Sequence, residues 1–160
     1  MKFSAHPKQI LTHPIHLLAF GLGSGLSPIA PGMLGTLVAI PLYLLLSGLS
    51  LISYLSLVGV FILASIYIAG RSAQLLGVHD HPGIVIDEVC GYLITMCLAP
   101  AGWQWIVCGF ILFRLFDIFK LWPIKSMDKN ITGGLGIVVD DLMAAVYSLI
   151  SLQIIIWITV

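Results

Sequence analysis

The chain has 160 residues, of which 59% are apolar and 9% are charged, and its seven basic residues balance its seven acidic residues. A soluble domain carries about a quarter charged residues, and one core of this size cannot bury so much apolar surface. Composition therefore disfavours a water-soluble globule, favours a bilayer, and offers no basic surface to a nucleic acid.

Five apolar segments follow one another along the chain. They span 33–49, 51–70, 84–99, 103–120 and 137–159. The second and fifth are long enough for a membrane-spanning helix of about 20 residues, whereas the third and fourth are marginal. The first contains Pro41, which predicts a kink, so a re-entrant path stays open for it. The sequence predicts an all-α polytopic membrane bundle of four to five membrane segments, forming one domain over 1–160.

The basic residues give this bundle an orientation. They precede the first segment, follow the second and follow the fourth: Lys2, Lys8, Arg71, Lys120, Lys125 and Lys129. The connections at 47–51 and 99–103 carry no charge. Because basic residues are retained on the cytoplasmic side, we predict a cytoplasmic N-terminus and five crossings. The first fifteen residues do not form a cleavable signal peptide.

The acidic residues are confined to the second half of the chain. They are Asp80, Asp87, Glu88, Asp117, Asp128, Asp140 and Asp141. In a five-crossing topology, all but Asp80 and Asp128 lie about one turn inside a cytoplasmic helix end, roughly 5–8 Å deep. Five carboxylates at one depth would repel one another, and a cation would relieve this repulsion. Carboxylates without thiolates favour a hard ion such as Mg²⁺ over zinc. Hydrogen bonding between helices or interfacial solvation is the alternative explanation.

Arg114 and Asp117 lie at i and i+3, on one helix face. The two residues form an intrahelical ion pair, or Arg114 binds a phosphate, or both interpretations hold. Phosphate binding is open to Arg114 because the fork of its guanidinium suits bidentate contact with phosphate. Lys120 follows one turn later, and with Lys125 and Lys129 it also serves as a topology signal.

Two glycine-rich stretches lead into apolar helices, at 21–35 and 132–136. Backbone N–H groups at such helix starts can bind an anion, although neither stretch matches a nucleotide-binding fingerprint. The candidate phosphate contacts there are Ser24, Ser27, Thr36, Gly133 and Gly134, and a plain interfacial turn is the alternative for each stretch.

Histidines flank the acidic region. The run His79-Asp80-His81 offers a general acid or a metal ligand, and a polar interfacial loop is the alternative. His6, His13 and His16 are interpreted as interfacial residues.

Three stretches together resemble one family. They are GLGSGLSPIAPGMLGT (21–36), GVHDHPGIVIDEVCG (77–91) and FRLFDIFKLWPIKSMDKNITGGLGIVVDDLMAA (113–145). In order and spacing they resemble the bacterial phosphatidylglycerophosphatase A family, membrane enzymes that release phosphate from phosphatidylglycerophosphate. Met33, Pro82, Ile86 and Leu121 depart from the expected pattern but leave every charged position in place.

The resemblance implies a Mg²⁺-dependent lipid phosphatase in a bacterial inner membrane, with a phospholipid substrate and a site facing the cytoplasm. On this hypothesis Asp87, Glu88, Asp140 and Asp141 hold Mg²⁺, and Arg114 with Lys120 neutralises phosphoryl charge. Asp117 orients Arg114 or binds metal. Asp80 or a neighbouring histidine protonates the leaving group. Direct attack by water and a covalent aspartyl-phosphate both stay open, as does the oligomeric state.

Two other classes of protein compete with this interpretation. A transporter with an acidic ion site would also carry intramembrane carboxylates, but such sites usually lie near the midplane. A head-group transferase would carry a D-G-x-x-A-R arrangement, which is absent from the sequence.

Overall fold

The computed structural model describes residues 7–119 and 132–159. Its elements are helical throughout this part of the chain, which contains no strand, so the all-α prediction is confirmed. In chain order they are α1 (Pro7–Thr12), α2 (Pro14–Ala19), a 3₁₀ helix (Gly21–Leu26), α3 (Pro31–Leu46), α4 (Leu51–Leu76), α5 (Ile86–Thr95), α6 (Trp103–Phe119) and α7 (Gly134–Thr159).

Local signals at both ends define helix α4. Ser50 caps its start, where the Ser50 hydroxyl accepts a hydrogen bond from the Ser53 N–H at 3.3 Å. Gly77 ends it in the left-handed conformation, at φ 68°, which costs glycine little. The 26 residues between them rise about 39 Å, more than the roughly 30 Å hydrocarbon thickness of a bilayer.

Helix α5 is the centre of the bundle. It packs against α3, α4, α6 and α7, and eight of its ten residues are buried. Its ten residues rise only about 15 Å, so the predicted segment 84–99 is helical over little more than half its length. Tyr54 donates a hydrogen bond to the Leu93 carbonyl at 2.6 Å, and Tyr92 donates one to the Ile106 carbonyl at 3.0 Å. These bonds fix α5 to α4 and α6.

The bundle has two distinct ends. At one end, the turn after α3 and the segment after α5 meet around a cavity bordered by Tyr43, Ser47, Met96 and Leu98. At the other end lie the starts of α3 and α5, the last turns of α6 and the first turns of α7. The predicted acidic residues that the structure describes lie at this second end, which we call the site end.

The N-terminal segment packs onto the site end. The Val85 N–H donates to the Ala19 carbonyl at 2.9 Å, and Phe20 and Ile86 share a small apolar core with α4 and α7. His16 is 1% exposed, and its Nδ1 lies 2.9 Å from the Ser72 Oγ of α4. His16 is therefore a buried contact between helices and not the interfacial residue expected from the sequence.

The outer surfaces of the long helices are apolar. Leu45, Ile52, Leu63 and Trp157 are each at least 70% exposed, and many other leucines and isoleucines share these faces. Helices α4 and α7 are both long and apolar enough to cross a membrane. Such continuous exposed apolar surface is unfavourable in water and indicates association with a membrane.

Candidate active site

Three carboxylates converge at the site end. Asp87 and Glu88 are in the first turn of α5, and Asp141 is in the first half of α7. One oxygen from each lies within 4.8 Å of the other two. Asp87 is 8% exposed and Asp141 4% exposed, so water screens their mutual repulsion poorly. The packing of α5 against α7 produces this cluster, which we call the carboxylate cluster.

Arg114 is the cation that pairs with the carboxylate cluster within the described ranges 7–119 and 132–159. Its Nη1 lies 2.9 Å from Asp117 Oδ2 and 4.0 Å from Glu88 Oε1. The same nitrogen donates to the Thr36 hydroxyl at 3.3 Å, which ties α6 to α3. Asp117 and Thr36 therefore hold the guanidinium beside Glu88, and the two interpretations of the Arg114–Asp117 pair are compatible.

Several polar atoms at the carboxylate cluster are buried without a hydrogen-bond partner. They are Glu88 Oε2, Asp141 Oδ2 and Arg114 Nε. A buried unpaired oxygen or N–H costs about 1–3 kcal/mol, and more when the group is charged. Two orphaned carboxylate oxygens call for a cation, and the orphaned N–H beside them calls for an anion. The site therefore has unpartnered groups suited to a cation and to an anion.

Gly32 provides the space for this arrangement. A Cβ atom at position 32 would overlap Glu88 Oε1 and would lie 3.2 Å from Arg114 Nη2. Only a residue without a side chain lets the start of α3 approach both groups so closely. Sequence reasoning placed Gly32 in a glycine-rich stretch without giving it a role, because nothing local to that stretch indicates its neighbours.

Asp140 and Asp80 lie outside the group of three. Asp140 is buried, and its Oδ1 accepts a hydrogen bond from the Asp141 N–H at 3.1 Å. Because α7 begins at Gly134, Asp140 lies nearly two turns into the helix and not one. Asp80 is exposed in the loop between α4 and α5, close enough to Asp87 for electrostatic interaction.

The remaining predicted phosphate contacts differ in their surroundings. Ser27 donates to the Ile29 carbonyl at 2.8 Å within its own turn, and Ser24 is 3.4 Å from the Phe20 carbonyl. Gly134 packs directly against α4, where a Cβ would overlap the Ile66 carbonyl. Gly133 adopts φ 77° just before α7. Of the two hydroxyls and two glycines, none contacts the carboxylate cluster in the hydrogen bonds described.

Some predicted residues fall outside the described residues. Lys120, Lys125, Asp128 and Lys129 lie between 119 and 132, and Lys2 and His6 precede residue 7.

Hard-cation ligands next to an arginine are a combination suited to phosphate chemistry. Oxygen-only ligands favour Mg²⁺ or Ca²⁺ over zinc, and a guanidinium suits a phosphoryl oxygen. The fold and this cluster thus define a helical, membrane-associated protein with a buried acidic cluster that could hold a metal ion, next to an arginine.

Comparison with known proteins identifies the family to which this membrane-associated protein belongs. The family model of phosphatidylglycerophosphatase A matches residues 17–156. The chain belongs to the phosphatidylglycerophosphatase A family, as the resemblance of its three motif stretches predicts.

Curated relatives agree with this assignment. The chain is 45% identical to phosphatidylglycerophosphatase A of Escherichia coli (strain K12), over 86% of this chain and 81% of that protein. It is 43% identical to phosphatidylglycerophosphatase A of Haemophilus influenzae, over 89% of each. A Bacteroides thetaiotaomicron protein provisionally named a phosphatidylinositol-3-phosphatase is 37% identical, over 89% of this chain and 93% of that protein. No solved structure matches the chain.

Proposed function

We propose that this chain hydrolyses the phosphomonoester of phosphatidylglycerophosphate, giving phosphatidylglycerol and inorganic phosphate. The observation that carries the proposal is the convergence of Asp87, Glu88 and Asp141 beside Arg114 in a member of this family. An acidic transporter site is the weaker alternative, because the carboxylate cluster lies at one end of the bundle and relatives are named as phosphatases.

Mg²⁺ fits the donors of the carboxylate cluster. All three are carboxylates, and the orphaned oxygens of Glu88 and Asp141 are free to bind a cation. We propose Asp87, Glu88 and Asp141 as ligands, with Asp140 behind Asp141 as a support or a further ligand. When bound, Mg²⁺ supplies a Lewis acid that lowers the pKa of a coordinated water and offsets phosphate charge.

Arg114 binds the phosphoryl group in this proposal. Its Nη1 is already engaged by Asp117 and Thr36, whereas its Nε is buried and unpartnered. Asp117 and Thr36 fix the guanidinium plane before substrate binds, so little reorganisation accompanies the build-up of negative charge on the phosphoryl oxygens. Lys120, one turn beyond Asp117 in sequence, is proposed to add a second positive charge.

Asp80 is proposed to protonate the leaving glycerol oxygen. Its position in an exposed loop close to Asp87 leaves it in contact with solvent, from which it can regain a proton. Ser24, Ser27, Gly133 and Gly134 stay candidates for phosphate contact only if the substrate rearranges their loops, and we rank them below Arg114.

We propose that the bundle crosses a bacterial inner membrane with the site end facing the cytoplasm. Helices α3, α4, α6 and α7 cross, and α5 with the segment up to residue 102 completes a fifth passage. Lys8 and Arg71 lie toward the site end, which supports this orientation.

Phosphate release from phosphatidylglycerophosphate in detergent micelles tests the proposed function. We expect purified protein to release phosphate with Mg²⁺ and to lose this activity in EDTA. Because one relative is named for an inositol lipid, phosphatidylinositol 3-phosphate and phosphatidic acid are assayed in parallel. Absence of release from every lipid phosphate, by protein of normal thermal stability, would contradict the proposal.

A further inference from the structure

The N-terminal segment exposes apolar side chains outside the carboxylate cluster. Leu11, Leu18 and Leu22 are 50%, 47% and 66% exposed, although they belong to three different elements, α1, α2 and the 3₁₀ helix. The side chain of Leu11 lies next to Gly23, because a Cβ added at that glycine would be 3.3 Å from the Leu11 Cδ2. Leu18 and Leu22 line one common groove. The three leucines therefore form one surface, which we call the leucine patch.

The turn that carries Leu22 has a costly backbone conformation. Leu22 adopts φ 57°, between Gly21 at φ 53° and Gly23 at φ 100°. The left-handed region costs glycine little but is unfavourable for leucine, because the leucine Cβ crowds the backbone. A third glycine would form this turn without that cost, yet the chain holds a large apolar side chain there, mostly exposed. Backbone strain of this kind leads to a hypothesis of function for the residue that bears it.

The leucine patch is continuous with the outer surface of α3. Leu18 and Leu22 share their apolar groove with Val38, Leu42 and Leu45 of α3. Leu45 is 78% exposed and belongs to the apolar surface that indicates association with a membrane. Lipid that covers this surface of α3 therefore adjoins the leucine patch without an intervening polar side chain.

The other exposed side chains of α1 are polar. Lys8, Gln9 and Thr12 are exposed, whereas Ile10 is buried in the small apolar core shared with α4 and α7. No acidic residue precedes Asp80 in the sequence, so the charge of the N-terminal segment is positive. Exposed leucines together with a lysine are typical of a segment that lies in the interface of an anionic membrane.

The N-terminal segment is attached directly to the start of α5. The Val85 N–H donates to the Ala19 carbonyl at 2.9 Å, and a Cβ added at Gly21 would lie 2.8 Å from the Val85 Cγ2. Val85 precedes Asp87 by two residues. The depth of the leucine patch in a membrane therefore also fixes the depth of the first carboxylate of the cluster.

We propose that the leucine patch inserts into the membrane at the site end, so that α1, α2 and the 3₁₀ helix form an interfacial anchor. The partner is the phospholipid surface, at the boundary between head groups and acyl chains. The anchor holds the carboxylate cluster at a constant level relative to the lipid phosphates. This inference goes beyond the proposed reaction and depends only on the placement of the bundle in a membrane.

Spin labels measure the depth of the leucine patch. In a chain with Cys90, Cys97 and Cys108 replaced by alanine, a nitroxide is attached to Leu22→Cys, or to Gln9→Cys as the matched control from the same segment. Each protein is reconstituted into vesicles of phosphatidylcholine and phosphatidylglycerol. Collisions of the nitroxide with oxygen, which concentrates in lipid, are compared with its collisions with a water-soluble nickel chelate. We expect the Leu22 label to lie about 5–10 Å into the boundary and the Gln9 label to remain in water.

Each other outcome overturns the inference. Access of the nickel chelate to the Leu22 label would place the leucine patch in water. Protection of this label from both reagents would mean that protein, such as a second copy of the chain, covers the patch. Equal depth of the two labels would show that the leucines do not direct the segment into lipid. If Leu22→Cys does not fold, Leu18→Cys takes its place with the same expected result. Since the labels are measured without turnover, failure of the proposed function is detected separately, by phosphate release from the wild type.

Discussion

At the residue scale, the site depends on charges that are buried before any ligand arrives. Glu88 and Asp141 each hold an unpartnered buried oxygen, and Arg114 holds an unpartnered Nε. Removing one carboxylate should therefore harm function while easing repulsion in the metal-free protein. Function and apo stability respond in opposite directions at such a site, which makes the two separable by experiment.

Asp141→Asn is predicted to lower phosphate release by at least about 100-fold, because an amide replaces a charged ligand and stabiliser. In EDTA the variant should melt at the same temperature as wild type or higher, since repulsion with Asp87 falls. Added Mg²⁺ should raise the melting temperature of wild type only. Thermal unfolding in detergent, with and without Mg²⁺, checks this, and an equal Mg²⁺ shift in both proteins would contradict Asp141 as a ligand.

Gly32→Ala is predicted to reduce activity by about 10- to 100-fold, because the new methyl group displaces the Glu88 carboxyl group. Gly59→Ala is the matched control: it lies within α4 and its Cβ would have no neighbour within 4 Å. Steady-state kinetics on both variants should show a loss for Gly32→Ala alone. Equal activities would mean that Glu88 can move without consequence.

At the element scale, the position of α5 determines the site. Its first turn carries two of the three converging carboxylates, and its surroundings are four longer helices that keep it buried. Arg114 arrives from α6 and Thr36 from α3, so the hydrogen bond between them joins two elements that otherwise touch little. The relative placement of α3 and α6 should therefore govern phosphate binding more than overall stability.

Thr36→Val is predicted to raise KM or lower kcat by roughly tenfold, because a buried hydrogen bond to the guanidinium is lost while the side-chain volume is kept. Thr36→Ser should restore activity, since it returns the hydroxyl that accepts from Arg114. Steady-state kinetics of Thr36→Val and Thr36→Ser separate the effect of the hydroxyl group from the effect of side-chain packing. Activity that follows side-chain volume, with Val active and Ser impaired, would assign Thr36 to packing alone.

At the scale of the whole molecule, the two ends of the bundle differ, because the carboxylate cluster lies at the site end and not at the opposite end. The loop between α4 and α5 at the site end carries His79, Asp80 and His81, whereas the turn 47–50 has no charge. The N-terminal segment covers the site end and is attached to α4 through His16 and Ser72.

Thiol labelling is predicted to distinguish the two ends. In a chain with Cys90, Cys97 and Cys108 replaced by alanine, Gly48→Cys should react with an impermeant reagent added outside intact cells. His79→Cys should react only after the membrane is opened. The reverse pattern would place the site end outside.

Acidification is predicted to weaken attachment of the N-terminal segment. Burial, aided by neighbouring His13, lowers the pKa of His16 below its usual 6.5. As the pH falls, His16 therefore binds its proton at a higher pH in the unfolded chain than in the folded chain. The stability that buried His16 contributes above pH 6.5 is lost as the pH falls toward the folded-state pKa. Melting temperatures of wild type and His16→Gln should converge as pH is lowered. A constant difference between them would show that His16 does not titrate in this way.

Much of this protein follows from sequence alone, for physical reasons local to each segment. Apolar composition and segments of helix length predict an all-α, membrane-associated protein, although α4 continues to Leu76, six residues beyond the predicted segment. Carboxylates confined to the second half, with Arg114 and Asp117 one turn apart, predict a phosphate and cation site, and this stays a prediction. Only tertiary structure decides which of these groups meet: Asp141 joins Asp87 and Glu88, and Gly32 makes room for Glu88 and Arg114. Such contacts depend on how separate helices pack, and helical periodicity within one segment carries no information about the neighbour across the interface.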